Sequence, residues 1–194
     1  MAARARPGID LRLDASLEPP DFARDRVDMA AHYGDGAYPG LESTRLFADE
    51  VFPVCSPDLL HGPNLLRHPA DLRHHTLLHL EWHPRYGEWP DWAMWLRAAG
   101  ANEVDAAPGP RFTEQTMSLP AAEEGQGVAL GSAVLVADDM ARGRLVQPFA
   151  LHLTTKLAVY LVYPKDRVPE PKVAAFRDWL TKEAAQSQTG ARER

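Results

Sequence analysis

Four histidines crowd the segment His74-His75-Thr76-Leu77-Leu78-His79-Leu80-Glu81-Trp82-His83, and imidazole is a common zinc ligand. His75, His79 and His83 stand four apart. On a helix they would share one face and could meet at one ion, the mark of a metal-dependent enzyme. Thr76 to Leu80 reads better as a strand, however, where the three span roughly 26 Å at ~3.3 Å per residue. No His-Glu-x-x-His occurs, because Leu80 follows His79. Surface histidines are the favoured reading, and neither metal nor cofactor is expected.

Other reaction chemistries lack their residues. The chain has no Gly-x-Ser-x-Gly for an acyl-transfer nucleophile, no Gly-x-Gly-x-x-Gly after a strand and no phosphate loop ending in Gly-Lys. Gly125-Gln126-Gly127 is too short for any of them and reads as a helix stop with a tight turn. Cys55, the single cysteine, lies in an apolar run and reads as a small buried hydrophobe. Asp138-Asp139 with Arg142 and Arg144 reads as a solvated face. Trp89, Trp92 and Trp95 read as packing groups rather than a stacking platform.

The elements that would position any site come from periodicity. Ile9, Leu11 and Leu13 alternate with polar residues as in a strand with one wet face. Pro19-Pro20 opens a short helix to Asp25, and Val27 to Ala31 is a buried strand ended by Tyr33-Gly34-Asp35-Gly36. Val51 to Cys55 is a strand that feeds a helix at Pro57 to Leu60, capped by Ser56. Thr76 to Leu80 is a strand. Trp92, Trp95, Leu96 and Ala99 mark an amphipathic helix with Asp91 as cap and Gly100 as stop. Ser118 caps a helix to Glu124, with Pro120 in its first turn. Val128 to Leu130, Leu145-Val146 and Leu157 to Tyr163 are strands, and Ala133 to Ala141 is a helix. A final helix starts at Pro171, and the polar residues from Gln186 read as a frayed tail. Strands alternating with helices predict an α/β fold, with ligands beyond the carboxyl ends of the strands.

Composition bounds the function classes. The 194 residues are 45% hydrophobic and 25% charged, an ordinary globular balance. A net charge of -6 opposes attraction to nucleic acid. No signal-peptide pattern or apolar run of membrane-spanning length is present, so a cytoplasmic protein is expected.

The stretch Val27 to Leu60 with its YGDG and FPVCSPDLL, then GQGVALGSAVLVADDMARGRLVQPF at Gly125 to Phe149, then YLVYP at Tyr160 to Pro164 resembles the effector-binding domain of LysR-type transcriptional regulators. The flavour is that of the subgroup around the glycine-cleavage activator. The resemblance runs from about Ile9 to about Ala185. It implies a type 2 periplasmic-binding-protein-like fold: two lobes joined by two crossover strands, around Phe52 and around Leu161, with a small molecule bound between the lobes. Lobe one would be residues 1–53 plus 162–194, and lobe two residues 54–161. It also implies that the family's DNA-binding module, linker helix and first strand and helix of lobe one are missing here. The Ile9 strand would then be poorly paired, with apolar edges open to association.

Carried over residue by residue, the resemblance implies an effector site from His32, Tyr33 and Gly34, then Phe52 and Pro53, then Leu80, Glu81 and Trp82, then Thr113, Glu114 and Gln115, and finally Gly131 and Ser132. Histidine stands at position 32 where many relatives carry arginine, and imidazole need not be charged at neutral pH. Glu81 and Glu114 favour an ammonium-bearing ligand, while N–H groups at the start of the Ser118 helix favour a carboxylate. The implied function is non-enzymatic: ligand sensing that controls transcription, with a small-molecule effector and a homo-oligomer or a dimer with intact relatives as partners. DNA would be reached only through the missing module. The alternative is a free-standing small-molecule-binding domain or a dominant-negative truncated regulator.

Overall fold

The apolar run Val51 to Cys55 is buried throughout, and it anchors a sheet whose strands carry the residues of interest. The computed structural model describes residues 11–15, 20–61, 64–83 and 88–192. Its strands are β1 (Ala30–Gly34), β2 (Leu41–Val54), β3 (Leu77–Leu80), β4 (Arg111–Phe112), β5 (Val128–Ser132) and β6 (Leu153–Pro164). Its helices are α1 (Trp92–Ala98), α2 (Gln115–Glu123), α3 (Ala133–Ala141) and α4 (Pro171–Arg192). The chain divides into two compact units, residues 1–48 with 157–194 and residues 49–156. β2 and β6 are the strands along which the chain passes from one unit to the other.

In the unit of residues 49–156, β2 runs antiparallel to β5, and β3 runs parallel to both β5 and β4. The registers pair Val51 with Ser132, Phe52 with Gly131, Leu77 with Val128 and Leu80 with Phe112. Val54, Leu78, Ala129, Leu119, Ala122 and Val136 close one core beneath this sheet. α1 seals the same unit through its tryptophans. Trp92 donates its indole N–H to the Leu78 carbonyl at 3.0 Å and Trp95 to the Leu151 carbonyl at 3.2 Å, each buried indole thereby keeping a hydrogen bond. Asp91 caps α1 by accepting from the Met94 N–H at 2.7 Å. At the far end Gly100 takes φ +71°, and the N–H groups of Gly100 and Ala101 return to the carbonyls of Arg97 and Leu96. Gly125 closes α2 by the same device.

In the unit of residues 1–48 and 157–194, β1 pairs antiparallel with β6, Ala30 opposite Val162 and Gly34 opposite Ala158. Leu46, Leu161, Tyr163, Val173 and Ala184 form its core. Asp28 accepts from Lys172 and pairs with Arg167, tying the stretch before β1 to the start of α4.

The structure revises several boundaries. Residues 11–15 form no strand and are exposed, Leu13 at 80%; Ile9 lies outside the described residues. The helix expected after Pro19-Pro20 is a single turn, with the Arg24 and Asp25 N–H groups reaching the Asp21 carbonyl. β1 starts at Ala30 rather than Val27 and continues through Tyr33 and Gly34, because β6 offers it partners that far. The Ser56-capped segment Pro57–Leu60 is a 3-10 turn. α2 begins at Gln115, three residues before the expected cap, so Ser118 lies within it and Pro120 is an interior proline. Leu145-Val146 makes only an isolated bridge, Val146 opposite Cys55. The chain past Gln186 stays helical to Arg192 instead of fraying.

Candidate functional site

Parallel strands leave their carboxyl ends on one edge of a sheet, and the helices that follow begin there. β3, β4 and β5 are such a set. β3 ends at Leu80, and Glu81 and Trp82 follow it; past β4 come Thr113, Glu114 and Gln115; the end of β5 holds Gly131 and Ser132. The Glu81 N–H donates to the Phe112 carbonyl at 2.7 Å, which sets the chain after β3 beside the chain after β4. Phe52 lies opposite Gly131, and Pro53 opposite Leu130. Ten of the expected site residues (Phe52, Pro53, Leu80, Glu81, Trp82, Thr113, Glu114, Gln115, Gly131 and Ser132) thus fall along the edge of one sheet within one unit.

Their exposures divide the set. Thr113, Glu114 and Glu81 are exposed and Leu80 and Trp82 partly so, whereas Phe52, Pro53, Gln115, Gly131 and Ser132 are buried. Trp82 lies 5.3 Å from Trp89, ring centre to ring centre. Gly131 has no room for a side chain, since a Cβ there would meet Val136 at 2.6 Å and Val54 at 3.1 Å.

Buried polar groups need partners, and here they form a network around Ser132. The Ser132 backbone N–H donates to Gln115 Oε1 at 3.0 Å, while its hydroxyl donates to Asp49 Oδ2 at 2.6 Å. Asp49 is only 4% exposed and also accepts the Glu50 N–H at 2.9 Å, while the N–H groups of Ala133 and Val134 that open α3 favour its charged form. Burial raises its carboxyl above the usual carboxylate range, and these donors pull the other way. Nearby, His152 Nδ1 bonds Glu50 at 2.7 Å, its ring stacks on Phe52 at 4.6 Å, and its Nε2 meets the Gln147 amide at 2.7 Å.

Asp49, Glu50 and His152 were not among the residues expected from the sequence. Asp49 stood two residues before Val51, in step with a buried face, and that was the available signal. Its partner Ser132 is 83 residues away in the chain, a distance no periodicity bridges.

The three remaining expected residues belong to the other unit. His32 Nδ1 lies 2.8 Å from the Tyr38 hydroxyl, and Tyr38 packs edge-on against Tyr160 at 5.9 Å. Burial lowers the His32 imidazole below its ordinary 6.5, with Asp35 opposing the shift. Burial, with the charges of Asp35 and Tyr160, pushes Tyr38 up to about 12. Tyr33 follows in β1, and a Cβ at Gly34 would meet the Tyr38 hydroxyl at 2.5 Å.

The histidine-rich segment is dispersed. His75 bonds the Asn64 carbonyl at 2.9 Å and His79 the Pro108 carbonyl at 3.0 Å. Among the described residues no group of three His, Cys, Asp or Glu side chains is placed to hold a metal ion. No helix among them is long and apolar enough to cross a membrane. Arg142 pairs with Asp138, and Arg144 with Asp139 and Glu123, on an exposed face.

The model of the LysR substrate binding domain family matches residues 2–185. The glycine cleavage system transcriptional activator of Escherichia coli K12 is 42% identical over 184 residues, 95% of this chain and 58% of that protein. The HTH-type transcriptional activator AmpR of Pseudomonas aeruginosa is 35% identical over 182 residues, 92% of this chain and 57% of that protein. The chain therefore spans less than three fifths of the length of these relatives. Among solved structures, the effector domain of AmpR of Pseudomonas aeruginosa superposes with a TM-score of 0.76 at 32% identity, covering 97% of this chain and 88% of that one. The AmpR effector binding domain from Citrobacter freundii gives 0.76 at 25% identity, covering 95% of this chain and 88% of that one.

Proposed function

The chain belongs to the LysR substrate-binding domain family, and from that premise we propose that it is the ligand-sensing part of a transcriptional regulator, acting through binding rather than catalysis. The observation that carries the reading is the convergence of the ends of β3, β4 and β5, with Phe52 alongside, on one sheet edge. Parallel strands with helices at their carboxyl ends are where such folds take small molecules. In this reading Thr113, Glu114 and Gln115 supply polar contacts at the start of α2, and Leu80, Trp82 and Phe52 supply apolar surface. Glu81 offers charge, Gly131 lets the chain close up, and Ser132 joins the polar set. In the other unit His32, Tyr33 and Gly34 end β1, and lowered basicity at His32 makes it a hydrogen-bonding group rather than a cation.

Binding would act by favouring one of two conformations, which requires the effector to prefer one of them. The output on DNA would come from a DNA-binding module of the kind that longer family members carry. Self-association, or pairing with a longer relative, and a cytoplasmic location fit the same reading.

The test is a thermal-shift screen of the purified chain against small metabolites of both charge types. A ligand at about a hundred times its dissociation constant stabilises by about 2.7 kcal/mol, which raises the midpoint by roughly 5–10 °C in a chain of this size. Support is a shift that disappears in Gln115→Ala or Thr113→Val. A shift that both variants leave intact refutes the placement of the site.

A further inference from the structure

Helix starts attract anions because their first N–H groups lack partners, and α3 begins at the proposed ligand-binding edge. In this chain that position is already filled from inside. Asp49, on β2, accepts the Ser132 hydroxyl and the Glu50 N–H, and the N–H groups of Ala133 and Val134 favour its charged form.

The consequence reaches Ser132 and Gln115. A serine hydroxyl has one proton, and that of Ser132 goes to Asp49 over 2.6 Å, so toward anything else its oxygen can only accept. Gln115 Oε1 accepts the Ser132 backbone N–H at 3.0 Å, which fixes which way the amide faces and presents its Nε2, which only donates, on the other side. One buried carboxylate and the backbone N–H beside it thus set an acceptor at position 132 next to a donor at position 115.

We propose that Asp49 is the positioning residue that sets the polarity of this edge, and that the edge therefore selects a ligand group carrying a donor next to an acceptor, as an amide does, and rejects a bare carboxylate. The inference rests on the reading of residues 113–115 and 131–132 as ligand contacts. A carboxylate would place its lone pairs against those of Ser132 and bring a second negative charge toward Asp49, whereas an amide of the same shape satisfies both positions.

Acetamide and acetate are matched in size and shape and serve as probes. Each is titrated into the purified chain while the backbone N–H signal of Ser132 and the side-chain amide signals of Gln115 are followed by nuclear magnetic resonance. Acetamide is expected to bind at least about tenfold more tightly than acetate, the worth of one well-made hydrogen bond of this kind. Asp49→Asn turns an amide toward Ser132, frees its hydroxyl to donate outward, and should bring acetate level with or ahead of acetamide. Ser132→Thr, which keeps the hydroxyl, should retain the preference for acetamide; Ser132→Ala, which keeps the charge of Asp49, should lose most of it.

A preference for acetate in the unaltered chain overturns the proposal. So does a preference for acetamide that survives Ser132→Ala in full, because charge repulsion alone would then explain it. Should neither probe move any signal from residues 113–115 or 131–132, the site reading itself falls, and the inference with it. If Asp49→Asn does not fold, the two Ser132 variants decide the matter.

Discussion

Replacing Asp49 by alanine removes the one group on which β2, Ser132 and the start of α3 converge. At 4% exposure, the carboxylate leaves behind donors that water reaches poorly. Losing the favourable interaction of the charge with the N–H groups of Ala133 and Val134 at the start of α3 costs about 1 kcal/mol. Losing the 2.6 Å bond from the Ser132 hydroxyl to a charged acceptor costs about 2 kcal/mol. The Glu50 N–H belongs to an exposed residue and finds water at little cost. Relief from burying a charge offsets about 1 kcal/mol of this, which leaves a net destabilisation of about 2 kcal/mol. With a urea slope of roughly 2 kcal/mol per molar, the unfolding midpoint of Asp49→Ala should fall by about 1 M. Asp49→Asn keeps one acceptor oxygen and should lose about half as much. Urea unfolding followed by tryptophan fluorescence reads the residue 49–156 unit directly, since Trp92 and Trp95 are buried within it. A midpoint within about 0.2 M of the parent, at the same slope, would show that the Asp49 network does not hold this unit together.

Three further outcomes follow from other parts of the structure. Gly109→Ala places a Cβ 1.9 Å from the Leu77 carbonyl oxygen at a φ of +135°, so it should destabilise by about 3 kcal/mol or more, against about 1 kcal/mol for Gly143→Ala, whose Cβ meets nothing within 4 Å and which bears only the strain of its φ of +70°; urea midpoints compare the two. Because burial lowers the His32 imidazole below 6.5, the unfolded chain binds that proton more readily than the folded one. Its contribution is complete above about pH 6.5 and is lost as pH falls below it toward the lowered value, so His32→Gln should flatten the stability profile on that acid side. Cys55 is fully buried and its thiol is pushed up to about 12, so a thiol reagent should leave it unmodified in the native chain and label it rapidly in denaturant.

The strands and helices most legible in the sequence were those whose own residues carry the reason for them. α1 had a cap, an apolar stripe and a glycine stop in register, and α3 has the bounds Ala133 to Ala141 expected from its own residues. Elements that depend on a distant partner were less legible. β1 is displaced because its extent is set by its pairing with β6, and Leu145-Val146 reduces to one bridge because Cys55 supplies its partner. α2 shows a local rule overridden. Pro120 suggested a first turn there, but a helix interior accommodates proline when the bond it removes is compensated by packing, and Leu119, Ala121 and Ala122 are all buried. The strand ends that carry Leu80 to Trp82, Thr113 to Gln115 and Gly131-Ser132 could be named from family resemblance. Their alignment along one sheet edge, and the buried acid behind them, required the fold.

The most direct test of the account is a crystal structure of the chain grown with a small molecule that raises its thermal midpoint. The account predicts ligand polar atoms within hydrogen-bond distance of Thr113, Gln115 or Ser132. Density for the ligand elsewhere, for instance in the open depression lined by Thr44, Tyr163, Arg177 and Lys182, with the ends of β3, β4 and β5 empty, would contradict it.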